Sequence, residues 1–136
     1  MKRILVVLDR RMRMDRVRDE LERRSREQVL EVFLLCCLLG WGLRGPLRRK
    51  RFWRAKHAQL DAALEELTAM GILSDGLTTP ADPMESVGNA LRAFRPDEVI
   101  IAHAGRAGRY EDGCRRALAA YASEPGHPVQ TSWLPA

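Results

Sequence analysis

Three stretches of this chain carry residue types that can do chemistry. Asp9 closes the apolar run Ile4-Leu5-Val6-Val7-Leu8, and His103 closes a second run that begins at Glu98. After His103 comes Ala104-Gly105-Arg106-Ala107-Gly108-Arg109. Glycines at this spacing let backbone N–H groups approach an anion, and the forked donors of Arg106 and Arg109 suit phosphate. A carboxylate at a strand end, as at Asp9, can accept hydrogen bonds from a ligand or cap the turn that follows. No nucleophile stands near His103 in the sequence, so an ordinary hydrogen-bonding role is expected for it. The third stretch, Trp41 to Lys56, holds Arg44, Arg48, Arg49, Lys50, Arg51, Arg54 and Lys56 around Trp41, Phe52 and Trp53. Mixed cations and rings can grip single-stranded nucleic acid or lie at a membrane surface. Gly45-Pro46 interrupts a continuous amphipathic helix there, so a mobile basic loop with its aromatics tucked onto the domain is expected.

Several chemistries find no support. There is no G-x-x-x-x-G-K-[ST] phosphate loop, and Arg10-Arg11-Met12 stands where a dinucleotide fold would place its glycines. No G-x-S-x-G elbow occurs, and His57, His103 and His127 lack metal-site spacing. The three cysteines, Cys36, Cys37 and Cys114, form neither a C-x-x-C nor an even framework. They are expected to be free thiols in a reducing, cytoplasmic setting. No catalytic residue and no metal site are assigned. An enzyme would require Asp9 or His103 for turnover, and no nucleophile–base pair supports that.

The elements that must hold these residues follow from periodicity. Strands are expected at Ile4–Leu8, Val29–Leu39, Ile72–Thr78, Glu98–His103 and Val129–Trp133. Helices are expected over Met12–Gln28, 55–70, a segment after Pro83, and Glu111–Ala122. Residues 40–54 are expected to be a loop or irregular helix start, because Gly40, Gly42, Gly45 and Pro46 break it. Asp82 can cap the third helix, with Pro83 in its first turn. Strict alternation of strands and helices argues for one α/β domain with a mainly parallel sheet, helices on both faces. Ligands of such sheets sit beyond the carboxyl ends of the strands, where strand order reverses.

The chain has 136 residues and a net charge of +5, which suits one domain. The charge is uneven: residues 1–56 hold 17 Lys/Arg and 7 Asp/Glu, whereas residues 57–136 hold 6 and 11. A basic face that meets an anion, nucleic acid or an acidic partner is one consequence, and a solvated arginine-rich surface is the other. The longest apolar run, Val32 to Leu43, is too short to span a membrane, and no signal peptide opens the chain.

Five segments resemble the universal stress protein family. They are the first strand ending in Asp9, the loop Pro80-Ala81-Asp82-Pro83, the entry Arg95-Pro96-Asp97-Glu98-Val99-Ile100-Ile101, the stretch Gly105 to Arg109, and Gly126-His127-Pro128-Val129. The likeness is best over residues 55–131. It implies a five-stranded sheet of order 3-2-1-4-5. It also implies an adenine nucleotide such as ATP, with Mg²⁺, bound weakly by Asp9, Val32, His103, Gly105, Arg106, Gly108 and Arg109. Pairing of two copies through the last strand is implied as well. Gly105 and Gly108 match the first two positions of the family's Gly-x2-Gly-x9-Gly-[Ser/Thr] signature, but Leu118-Ala119 replaces its end. The alternative is a nucleotide-free interaction module that uses the basic segment 44–56 on nucleic acid or an acidic partner.

Overall fold

The computed structural model describes residues 1–38, 45–103, 108–126 and 128–135. Five strands, β1 (Lys2–Leu8), β2 (Leu30–Cys37), β3 (Leu73–Thr79), β4 (Glu98–His103) and β5 (Gln130–Pro135), form one sheet in the order β3-β2-β1-β4-β5. Every neighbouring pair is parallel. The connecting helices are α1 (Asp15–Ser25), α2 (Pro46–Ala69), α3 (Pro83–Phe94) and α4 (Arg109–Ala122). The expected order and the α/β class are both found.

Successive strand residues face opposite sides, so each central strand feeds two cores. Ile4, Val6, Leu8, Leu34 and Cys36 pack with Val17 and Leu21 of α1 and with Leu60, Ala63 and Leu67 of α2. Leu5, Val7, Leu35, Cys37 and Ile101 pack with Val87 and Leu91 of α3 and with Cys114, Ala117 and Tyr121 of α4. Burying each such leucine or isoleucine stabilises the fold by about 1.5–3 kcal/mol. Where α3 meets α4, the absence of a side chain matters: a Cβ on Gly113 would lie 2.9 Å from Pro83 Cβ. The third helix starts as expected, with Asp82 accepting a 3.0 Å hydrogen bond from the Met84 N–H and Pro83 in the first turn.

One expectation fails in part. Residues 46–54, expected as a loop or an irregular helix start, are regular helix, and α2 runs for 24 residues. Gly45-Pro46 is a start signal and not a breaker. Gly45 takes φ +85°, a conformation that favours glycine, and Pro46 needs no N–H in a first turn. The arginines and lysine that follow are good helix formers. Residues 40–44 lie outside the described residues. Among the described helices none is long and apolar enough to cross a membrane.

The amino end of the sheet is closed by an ion cluster. Glu98, the first residue of β4, is 1 % exposed. It accepts from Lys2 Nζ at 2.9 Å, from the Arg24 guanidinium and from Ser132 Oγ at 3.2 Å. Burial pushes its carboxyl up, but the Arg24 and Lys2 charges outweigh that and hold it below the usual 4.5. Beside it, Asp97 bridges strands: its carboxylate accepts from the Arg3 N–H at 2.8 Å, and its own N–H donates to the Arg3 carbonyl at 2.8 Å.

Candidate functional site at the carboxyl ends of the strands

Strand order reverses between β1 and β4, because β2 continues the sheet on one side and β5 on the other. Val7 is registered against Ile101, so continuing the register by two residues sets Asp9 beside His103. Gly108 caps the start of α4, whose first residue is Arg109. Of the seven expected contact residues, Asp9 and His103 follow or end the neighbouring strands β1 and β4, and Gly108 and Arg109 stand at the start of α4, so these four lie at the carboxyl end of the sheet. Gly105 and Arg106 lie outside the described residues. Val32 is not brought there. It is 1 % exposed in the amino half of β2, registered against Ile4 and Ser74.

Asp9 is half-buried, and its Oδ1 accepts from the Arg11 N–H at 2.9 Å. The Met12 N–H donates to the Asp9 carbonyl at 3.0 Å, with Met12 at φ +52°. The carboxylate thus shapes a tight turn at the strand end and keeps a second oxygen for another donor. Arg10, Arg11 and Arg13 are exposed around this turn.

Tyr110 lies beneath the carboxyl ends of β1 and β4. Its hydroxyl donates toward the Ala102 carbonyl at 2.8 Å and the Val7 carbonyl at 3.1 Å, clipping the last turns of β4 and β1 together. Burial pushes its phenol far up, so it stays protonated and donating. Nothing in the sequence marks this residue beyond its place two positions after Gly108. The bridge exists only once β1 and β4 are neighbours.

His103 Nδ1 lies 3.5 Å from Glu111 Oε1 on α4, and the histidine ring meets Trp133 of β5 edge-on at 5.7 Å between centroids. The Arg115 guanidinium covers the same tryptophan at 4.9 Å. Glu111 is 7 % exposed, so this histidine–carboxylate pair sits on the rim of the core. Among the described residues, no nucleophile is set against this pair. Burial pushes the Cys36 and Cys37 thiols up to about 12, and Cys114 is raised as well, so none of the three is a thiolate near neutral pH.

At the same end of the sheet, Arg109 reaches Asp82 at 3.5 Å, and both side chains are exposed. Gly108 is extended, at φ −173°, and a Cβ built on it would meet nothing within 4 Å. Neither the local backbone nor packing among the described residues demands glycine at this position. The first turn of α4 carries Glu111 and Asp112, which oppose an anion at that helix start. A small cavity of about 120 Å³ lies at this end too, lined by Arg13, Arg16, Ala102 and Leu134. A larger groove of about 500 Å³ lies elsewhere, beside α3, where Phe33, Leu73, Asp75 and Phe94 border it. Its polar lining is Glu31, Ser74 and Asp75, toward the amino end of the sheet. Among the described residues, no group of three His, Cys, Asp or Glu could hold a metal ion.

No family model matches the chain, and no curated protein matches it. Solved structures do. A universal stress protein from Archaeoglobus fulgidus aligns at a TM-score of 0.64 and 14 % identity over 96 % of this chain and 98 % of that one. A universal stress protein family member from Arabidopsis thaliana, solved with AMP bound, aligns at 0.62 and 13 % identity, covering 98 % and 92 %. The 4-carboxy-2-hydroxymuconate hydratase of Pseudomonas putida aligns at 0.59 and 15 % identity, covering 96 % of this chain but 62 % of its own. The chain therefore has the universal stress protein fold. Because that fold also matches a hydratase, function must be argued from the site.

Proposed function

We propose that the chain is a universal stress protein-like binding domain that takes an adenine nucleotide weakly at the crevice between β1 and β4. One observation carries this: reversal of strand order gathers Asp9, His103, Gly108 and Arg109 where ligands of open α/β sheets bind. The structural neighbour with bound AMP supports the same reading. In the proposed arrangement the spare oxygen of Asp9 accepts from the nucleoside. The open space over Gly108 lets the ligand approach the backbone. Val32 is left out, since it is buried away from the crevice. Glu111 and Asp112 repel phosphate at the start of α4, which is the reason for weak binding. Any Mg²⁺ would arrive with the nucleotide's own phosphates. No turnover is proposed. A second copy would pair along β5, which supports this by lying at the edge of the sheet.

The test is a melting-temperature titration with Mg²⁺ and ATP, together with chromatography of nucleotide released from fresh protein by heat. Ligand at 100 times its dissociation constant stabilises by about 2.7 kcal/mol. Asp9→Ala should abolish the shift. Gly108→Ser should abolish it too while leaving the unliganded melting temperature within a degree or so, because serine caps a helix at least as well as glycine. Absence of released nucleotide and of any shift at millimolar ATP would refute the proposal.

A further inference from the structure

The helix α2 is longer than the strand it covers. At 1.5 Å per residue its 24 residues span about 36 Å, against about 23 Å for the seven residues of β3. The register between them is fixed at two points. Leu60 Cδ1 lies 2.8 Å from where a Cβ on Gly76 would stand, and His57 meets Thr78 Oγ1 at 3.4 Å. Thr79, the last residue of β3, is level with about Ala55, so residues 46–56 reach about 13 Å past the carboxyl end of the sheet. This is the same end that holds the crevice, because α2 must return antiparallel to the strands it joins. The first buried residue of the helix is Leu60.

We propose that this overhanging half of α2 is a binding surface for single-stranded nucleic acid. Arg48, Arg49, Lys50, Arg51, Arg54 and Lys56 lie on it, and no acidic residue occurs between Glu31 and Asp61. All but Lys56 are exposed. The cations repel one another at spacings of three and four, as Arg48 does Arg51 and Lys50 does Arg54. They also crowd the positive end of the helix, whose first turn holds no acid. A polyanion relieves both strains.

The rings select among polyanions. Phe52, Trp53 and Lys56 continue the line of Leu60, Ala63 and Leu67 along the helix, at spacings of three, four and seven. Lys56 Nζ lies over the Phe52 ring at 5.7 Å, and Trp53 tilts against His57 at 5.8 Å. Half-buried rings beside cations form an edge on which bases stack while the arginines track the backbone. A membrane would need an apolar outer face, and Arg48, Arg51 and Ala55 occupy it. The strand spacing puts β3 about 10–15 Å from β1 and β4, close enough for one polymer to touch both arm and crevice.

The experiment is fluorescence anisotropy of the full chain with a labelled 12-nucleotide RNA and DNA. Unlabelled duplex, polyglutamate and phosphatidylserine vesicles serve as competitors. Wild type should bind the single strands at about 50 mM salt, with affinity falling by about 0.7 in log–log slope per phosphate neutralised. Arg48→Ser, Arg51→Ser and Arg54→Ser combined should weaken binding at least about tenfold and flatten the slope by about 2. The three lysine replacements should retain binding. Any ATP-induced melting shift should be the same in all three proteins, so this proposal and the crevice reading fail separately. Three results would overturn it: no binding by wild type, unchanged affinity in the folded serine variant, or duplex, polyglutamate or vesicles competing as well as single strands.

Discussion

Both ends of the sheet hold charged groups and use them differently. At the amino end, Glu98 is buried and held by Lys2 at 2.9 Å, by Ser132 at 3.2 Å and by Arg24. At the carboxyl end, no carboxylate among the described residues gathers partners in that way: His103 lies 3.5 Å from Glu111, and the exposed Arg109 lies 3.5 Å from Asp82. Asp9 holds its own turn with one oxygen and leaves the other for a new partner. Glu98 is saturated by the fold, and a ligand at the amino end would have to break its pairs. At the carboxyl end Asp9 keeps acceptor capacity, and the exposed cations of α2 lie at the same end. The buried ion cluster and the candidate site thus lie at opposite ends of the strands.

The largest effect should come from breaking the saturated end. Arg24→Ala leaves a buried carboxylate with one cation fewer, and its cost should be about 3 kcal/mol by urea denaturation. ATP binding by the folded fraction should be unchanged. A loss below about 1 kcal/mol would mean that Lys2 and Ser132 alone satisfy Glu98.

Tyr110→Phe should cost about 1–2 kcal/mol, since two strand-end carbonyls lose their shared donor. It tests the carboxyl end. If the hydroxyl clips β1 to β4, hydrogen exchange should accelerate at the last residues of both strands and stay unchanged at their amino ends.

The smallest effect should be one of slope. The carboxyl of Glu98 is lower in the folded chain than its ordinary 4.5. Its contribution is therefore fully present above that value and is lost as pH falls through the depressed folded value. Glu98→Gln should flatten the acid limb of stability measured between about pH 5 and 3. An unchanged limb would mean that the ion cluster does not hold the Glu98 carboxyl down.

Much of this fold was legible in the sequence. The run at Glu98–His103 was bounded correctly, and Asp82-Pro83 announced α3, because strand burial and helix capping are local in origin. The long α2 was misjudged, since Gly45-Pro46 marks either a break or a beginning and only the chain's return path decides which. Tyr110 and Glu111 gave no signal, as their partners lie on other elements, up to 103 residues away for the tyrosine.

The sequence by itself determined the element types, the two-sided burial of the strands and the uneven charge. Apolar period, capping groups and net charge are properties of neighbouring residues and need no fold to exist. Tertiary structure alone decided that Glu98 meets Arg24, that the Tyr110 hydroxyl bridges β1 and β4, and that the basic half of α2 runs past the carboxyl end of the sheet, whereas the order of the strands was implied by the family resemblance. Each of these depends on strand order and on the difference in length between a helix and the strand it covers, and those are set when the whole sheet closes its two cores.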